Sequence, residues 1–198
     1  MSPKAEPRPL ILASTSRYRA ALLERLGLRF SSASPEVDES QIPGETPRAR
    51  AGRLSAAKAR AVALHYPEAV VIGGDQVAAL AERVLRKPGD AATCREQLRQ
   101  LSGSRAEFHT ASTVRCEAAG LELSHLDTTT VTLRALSDAE IDRYIERERP
   151  FDCAGGFKAE LLGISLFERL DSSDPTAIVG LPLIWLAGAL RTAGFQVP

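Results

Sequence analysis

The run AVVIGG (69–74) constrains this chain more than any other stretch. It is apolar, rich in β-branched residues and unbroken, the pattern of a strand buried on both faces of a sheet. It delivers Asp75 at its end. A carboxylate in that setting is costly unless it binds a metal, accepts hydrogen bonds or does chemistry. Gly73 and Gly74 let backbone or ligand approach closely. The plainer alternative is a turn aspartate bonded to its own backbone.

Around this strand the chain mixes helices and strands. LILA (10–13) is a short apolar run, and STS (14–16) is a cap cluster for a helix over RYRAALLERLG, with Leu22, Leu23 and Leu26 on one face and Gly27 as its stop. LRFSSAS (28–34) reads as a strand, PEVDESQIPGETP (35–47) as an acidic loop, and residues 48–65 as a helix with Leu54, Ala57, Ala61 and Leu64 on one stripe. VAAL and RVL flank a hairpin turn, and Gly89-Asp90 opens a helix to about Leu101. Residues 107–117 and 121–133 alternate around Gly120 as two antiparallel strands. SDAE (137–140) is a capping box, predicting a short helix to about Tyr144 before Pro150. A glycine-containing loop (152–160), a strand over ISLFERL (164–170) and an apolar helix over 181–193 complete the chain. There is no strict βαβ alternation, so the expected class is α/β with a mixed sheet. Residues 1–8 read as a disordered lead-in and 9–198 as one domain.

Charge narrows the function classes. Lys+Arg and Asp+Glu both total 25, so the formal net charge is zero, which argues against a polyanion binder such as a DNA-coating protein; neither a nucleic-acid nor a membrane partner is expected. A nucleotide needs only a local basic pocket. Cys94, Cys116 and Cys153 have no CxxC spacing, and no signal peptide or membrane-length apolar run is evident. These features favour a reducing compartment, the cytoplasm. His65, His109 and His125 form no zinc motif.

Several residue sets can carry chemistry. A strand running into STS makes an anion site at a helix start, where Ser14 and Ser16 add donors and Arg19 can fork onto a phosphate. An ordinary capped helix with surface arginines is the competing reading. In the acidic loop, Glu36, Asp38 and Glu39 can hold Mg²⁺ with water and phosphate completing the shell; a solvated loop is the alternative. Lys58, Lys87 and Lys158, with Arg19, can supply the positive charge a triphosphate needs, though each singly reads as a surface lysine. Phe157 can pack on a flat base or on the core, and Glu160 can accept hydrogen bonds from a guanine edge unless a salt bridge to Lys158 or Arg169 holds it.

Taken in order, LILASTSRYRAALLERLG, PEVDE, AAKA, IGGDQV, RKP, LSDAEIDRYI, CAGGFKAELLGISLFERL and DPTAIVGLPL resemble the Maf family of nucleotide pyrophosphatases, from Leu10 to about Phe195. The DQV, CAGGFKAE and GISLFERL wording is similar to the branch acting on 7-methylguanosine triphosphate; the branch acting on dTTP and UTP has Thr where Gln76 stands and Gln where Glu160 stands. The resemblance implies an elongated mixed sheet flanked by helices, with a cleft between two lobes. It implies hydrolysis between the α and β phosphates with Mg²⁺ or Mn²⁺, a small-molecule nucleotide as partner, and it allows a homodimer. It assigns Asp75 as the catalytic carboxylate, taken as proton acceptor or metal ligand, and Ser14, Arg19, Glu39, Lys58, Lys87 and Lys158 to the phosphate and metal side, with Glu39 as the second metal carboxylate. It assigns Tyr18, Gln76 and Glu160 to base selection, Tyr18 by covering the ring and Gln76 by reading a carbonyl. Arg17 replaces the family's usual Pro, and Tyr18 stands where this branch often has Trp. A pyrimidine triphosphate as substrate, or a nucleotide-sensing protein with little turnover, are the rival readings.

Overall fold

A computed structural model describes residues 8–198. The lead-in expected over residues 1–8 lies outside the described residues except for Arg8, whose guanidinium donates to Cys116 Sγ.

One seven-stranded mixed sheet organises the chain. Its main path runs β2 (Ser31–Ala33), β1 (Leu10–Ala13), β3 (Val70–Leu80), β5 (Arg105–Cys116), β6 (Leu121–Leu133) and β7 (Phe167–Asp171), and β4 (Arg83–Leu85) pairs with the outer part of β3. β1 is parallel to both β2 and β3, while β3–β5, β5–β6 and β6–β7 are antiparallel. Among the described residues five α-helices cover it: α1 (Arg17–Glu24), α2 (Pro47–Ala63), α3 (Ala91–Leu101), α4 (Asp138–Glu148) and α5 (Leu183–Thr192).

The long central strands pass through two cores. Leu10, Leu12, Val70, Ile72 and Val114 pack with α1 and α5 at one end, whereas Ala78, Phe108 and Val131 pack with α3 and α4 at the other. Phe157 joins the second core, with ring centroids 5.3 Å from Phe108 and 4.9 Å from Phe167. Of its two expected roles, the core one is observed. Between the cores β3 carries Asp75 and Gln76.

The strand expected to end before Asp75 continues for five residues beyond it. Asp75 and Gln76 stay in register with Ala111 and Thr110 of β5, so their backbone groups remain paired although one side chain is charged. Two other boundaries differ from the sequence expectation. Leu162–Leu166 coils as a 3₁₀ turn, and the strand expected from residue 164 begins at Phe167. Helix α4 runs on to Glu148, because Ile141, Tyr144 and Ile145 keep one buried stripe; Arg149, at φ 47°, then breaks it before Pro150. The capping box is present: Ser137 N donates to Glu140 at 2.8 Å.

Candidate active site

A cleft of about 1090 Å³ opens between the two cores. Its walls come from the β1–α1 turn, the acidic loop, one face of α2, the middle of β3, the β4–α3 turn, and segments 152–160 and 178–180. Ser14, Tyr18, Arg19, Glu39, Lys58, Asp75, Gln76, Lys87 and Glu160 all line it.

Its charged centre is Lys58. The ammonium lies 2.7 Å from Asp75 Oδ1 and 2.7 Å from Glu39 Oε1. Lys58 and Asp75 are both buried, at 6% exposure each, while Glu39 is open to solvent. Burial pushes the Asp75 carboxyl above its ordinary range, and Lys58 and Arg19 pull it part of the way back. Gly73 makes this pairing possible. A Cβ there would stand 2.3 Å from Ser55 O and 2.6 Å from Ala59 N, so only glycine lets α2 lie this close to β3.

The acidic loop is drawn over the site by α2. Arg50 donates to Glu39 O at 2.8 Å, and Arg53 donates to Ser40 O at 3.0 Å and grips Glu45 at 2.5 and 2.8 Å. Of the three acids considered for this loop, Glu39 reaches the centre. Asp38 accepts from Ser40 N, and Glu36 is exposed outside the cleft wall. Arg50 and Arg53 were missed in the sequence, although Arg50, Leu54 and Lys58 are spaced four apart on one helical stripe.

The β1–α1 turn holds Arg19. Ser16 caps α1 by accepting from Arg19 N, Ser14 Oγ accepts from Ser16 N at 3.1 Å and from Arg19 Nη1 at 3.3 Å, and Arg19 Nε donates to Gly180 O at 3.1 Å. Arg19 Nη2 is left without a partner among the described residues. Lys87 is exposed in the wall and makes no hydrogen bond among the described residues.

Lys158 departs from the expectation that it lines the cleft. Its ammonium donates to Glu148 O at 3.0 Å and pairs with Glu148 Oε1 at 3.2 Å, and it is absent from the cleft wall. A half-buried carboxylate on α4 satisfies it there. Glu160 is released in consequence. Lys158 pairs with Glu148 and Arg169 with Asp171, so neither neutralises the exposed Glu160.

Gln76 was expected to read a carbonyl, and its surroundings reverse that polarity. Its Nε2 lies 3.0 Å from Ala177 O, 2.9 Å from Ile178 O and 2.9 Å from Thr110 Oγ1, while the Thr110 hydroxyl donates to Ala177 O at 2.9 Å. Two backbone carbonyls can only accept, so the amide nitrogen must face them. The group left for a ligand is Oε1, an acceptor. Tyr18 is likewise engaged: Arg17 lies over its ring, 4.9 Å from the centroid, and its hydroxyl donates to Asp152 Oδ2 at 3.0 Å.

Among the described residues no group of three or more His, Cys, Asp or Glu is placed to hold a metal. Glu39 and Asp75 nevertheless converge on one cation, the Lys58 ammonium. Two carboxylates at one point suit Mg²⁺ or Mn²⁺ when phosphate and water complete the shell. All three cysteines are free, and no helix among the described residues is long and apolar enough to cross a membrane.

A mixed α/β sheet is thus crossed by a cleft that brings lysine and arginine together with two convergent carboxylates. The chain belongs to the Maf-like protein family, whose pattern matches residues 9–193. It is 56% identical over 189 residues to the 7-methyl-GTP pyrophosphatase of Xanthomonas oryzae pv. oryzae, covering 96% of this chain and 98% of that one. It is 53% identical over 187 residues to the protein of the same name from Polaromonas sp., covering 94% of this chain and 85% of the other. Among solved structures, the Staphylococcus aureus Ham1 protein aligns with a TM-score of 0.45 at 15% identity, over 64% of this chain and 72% of that one.

Proposed function

We propose that this protein is a nucleoside triphosphate pyrophosphatase that hydrolyses 7-methyl-GTP to 7-methyl-GMP and diphosphate, removing a noncanonical nucleotide in the cytoplasm. The observation that carries this reading is the Glu39–Lys58–Asp75 bridge inside a cleft that also presents Arg19 and Lys87. The name shared by relatives matched over nearly their whole length supports the substrate.

In this reading the triphosphate lies against Arg19, Lys58 and Lys87, which stabilise the charge developing on the leaving diphosphate. Asp75 accepts the proton of the attacking water. Its raised affinity for a proton suits that task, and Lys58 at 2.7 Å keeps the carboxylate charged and aimed. Ser14 and the Gly180 carbonyl hold Arg19 in place. Glu39 and Asp75 would hold the divalent cation, which when bound neutralises phosphate charge. Gln76 and Glu160 offer acceptors to the N1–H and N2–H₂ edge of guanine, whereas uracil and thymine present carbonyls on both sides of a single N–H. In this reading the opening between the two apolar cores serves as the cleft between two lobes of a Maf-type fold.

A triphosphate panel with Mg²⁺ or Mn²⁺, read by diphosphate release, tests the proposal. The expected order places 7-methyl-GTP above UTP and dTTP. Asp75→Asn should cut turnover by about 10²-fold or more while the melting transition is retained. A folded Asp75→Asn protein with near-normal turnover, or a wild-type preference for dTTP, would refute it.

A further inference from the structure

Tyr18 stands at a point where segments far apart in the chain meet inside the cleft. Its hydroxyl donates to Asp152 Oδ2 at 3.0 Å and lies 3.6 Å from Cys153 Sγ. Arg17 joins them. Its Nη2 donates to Tyr18 Oη at 2.9 Å and to Asp152 Oδ2 at 3.0 Å, and its guanidinium lies over the tyrosine ring, 4.9 Å from the centroid. All four residues line the cleft. An aromatic face beside a carboxylate is an arrangement that binds a flat delocalised cation, and here a flat delocalised cation from the chain itself occupies it.

We infer that Asp152 adds the negative charge that makes the Tyr18 face selective for the cationic ring of a 7-methylated guanine, and that Arg17 holds this subsite as an internal competitor. The inference rests on the nucleotide reading above. Methylation at N7 gives the base a delocalised positive charge that unmethylated guanine lacks, so a methylated ring can replace Arg17 over Tyr18 and beside Asp152. A neutral base gains nothing there in exchange for displacing a cation. Displacement is easy, because the Arg17 side chain is 72% exposed and that of Asp152 is 47% exposed, and exposed ion pairs contribute little. Glu160 lines the same cleft and has no cationic partner among the described residues. The donation from Tyr18 to Asp152 also fixes the ring, which makes Asp152 both a charge partner for the base and the group that orients its stacking platform.

The decisive quantity is the ratio of kcat/KM for 7-methyl-GTP to kcat/KM for GTP. The two substrates share every phosphate contact, so damage to the phosphate side cancels in the ratio. Asp152→Asn keeps the shape and an acceptor for Tyr18 but removes the charge, and should lower the ratio by about tenfold. Tyr18→Leu should lower it as well. Arg17→Ala should raise it several-fold, even if the loss of a cation slows both substrates. A merely structural role for these residues would move both substrates alike. Calorimetric binding of 7-methyl-GMP and GMP gives the same ratio without turnover. An unchanged ratio in Asp152→Asn, or a lowered one in Arg17→Ala, overturns the inference. Wild-type protein that prefers another triphosphate would refute the proposed function instead, while the binding ratio of the two monophosphates still decides whether Tyr18 and Asp152 select a cationic ring.

Discussion

Gln76 shows how a single side chain acquires its meaning from its neighbours. An amide can read either a donor or an acceptor, and its sequence position does not say which. Here Ala177 O, Ile178 O and Thr110 Oγ1 take the nitrogen, so the oxygen is what remains. In the proposed complex that oxygen accepts from the donor edge of guanine. Gln76→Met keeps the length of the side chain and removes the acceptor. The variant also loses the Nε2 donor to Ala177 O and Ile178 O, which affects every substrate, so the readout is a ratio: kcat/KM for 7-methyl-GTP relative to 7-methylinosine triphosphate, which lacks the 2-amino group, should fall about five- to tenfold, as expected for one lost hydrogen bond. Equal losses on both substrates would show that Gln76 supports the fold of the cleft and does not meet that amino group.

Helix α2 and strand β3 act as one unit because Gly73 and Gly74 lie on opposite faces of the strand and have opposite neighbours. A Cβ on Gly73 would meet α2 backbone at 2.3 Å, whereas one on Gly74 would meet Leu181 Cδ2 at 3.1 Å and the Arg19 side chain at 3.3 Å. Backbone cannot move aside as a side-chain end can. Gly73→Ala should therefore destabilise the protein by about 1–3 kcal/mol, the cost of overpacking a close contact. It should also separate Lys58 from Asp75 and depress turnover on every triphosphate. Gly74→Ala should cost less in melting temperature. Thermal melts of the two variants check the order, and equal melting temperatures would contradict it.

At the scale of the whole molecule, the segment between β7 and α5 closes the cleft onto the sheet. Asp174, 3% exposed, accepts from Thr176 N at 2.9 Å, Thr176 Oγ1 at 2.6 Å and Ile184 N at 2.7 Å, so it shapes the turn and caps α5 together. The same Thr176 hydroxyl oxygen lies 2.8 Å from Leu181 O and accepts from Leu183 N at 2.9 Å. The resulting loop supplies the carbonyls of Ala177, Ile178 and Gly180 that aim Gln76 and Arg19. One carboxylate thus supports the carbonyls that hold both Gln76 and Arg19. Asp174→Ala leaves buried donors unpaired and should lower stability by roughly 2–4 kcal/mol. It should also reduce kcat/KM for all triphosphates, measured at a temperature where the variant remains folded. A selective loss on one base alone would argue against this shared support.

Elements were legible in the sequence because their signals are local: the Asp90 and Ser137 caps, the hairpin around Gly120, and the apolar run of β3 each lie within a few residues. The resemblance carried by the ordered blocks led to the family and to most of the residues named for the cleft, Lys158 excepted. Boundaries were less legible where long-range pairing overrode local chemistry, as at Asp75, whose backbone stays in the sheet because Ala111 of β5 pairs with it. Partner choice was not legible at all. Lys158 turns to Glu148 on α4, Gln76 is oriented by carbonyls about a hundred residues later, and Tyr18 meets Asp152 across 134 positions. A charge or an amide announces a need for a partner, but only the folded sheet, by bringing distant segments within 3 Å, decides which partner it finds and which atom is left for the ligand.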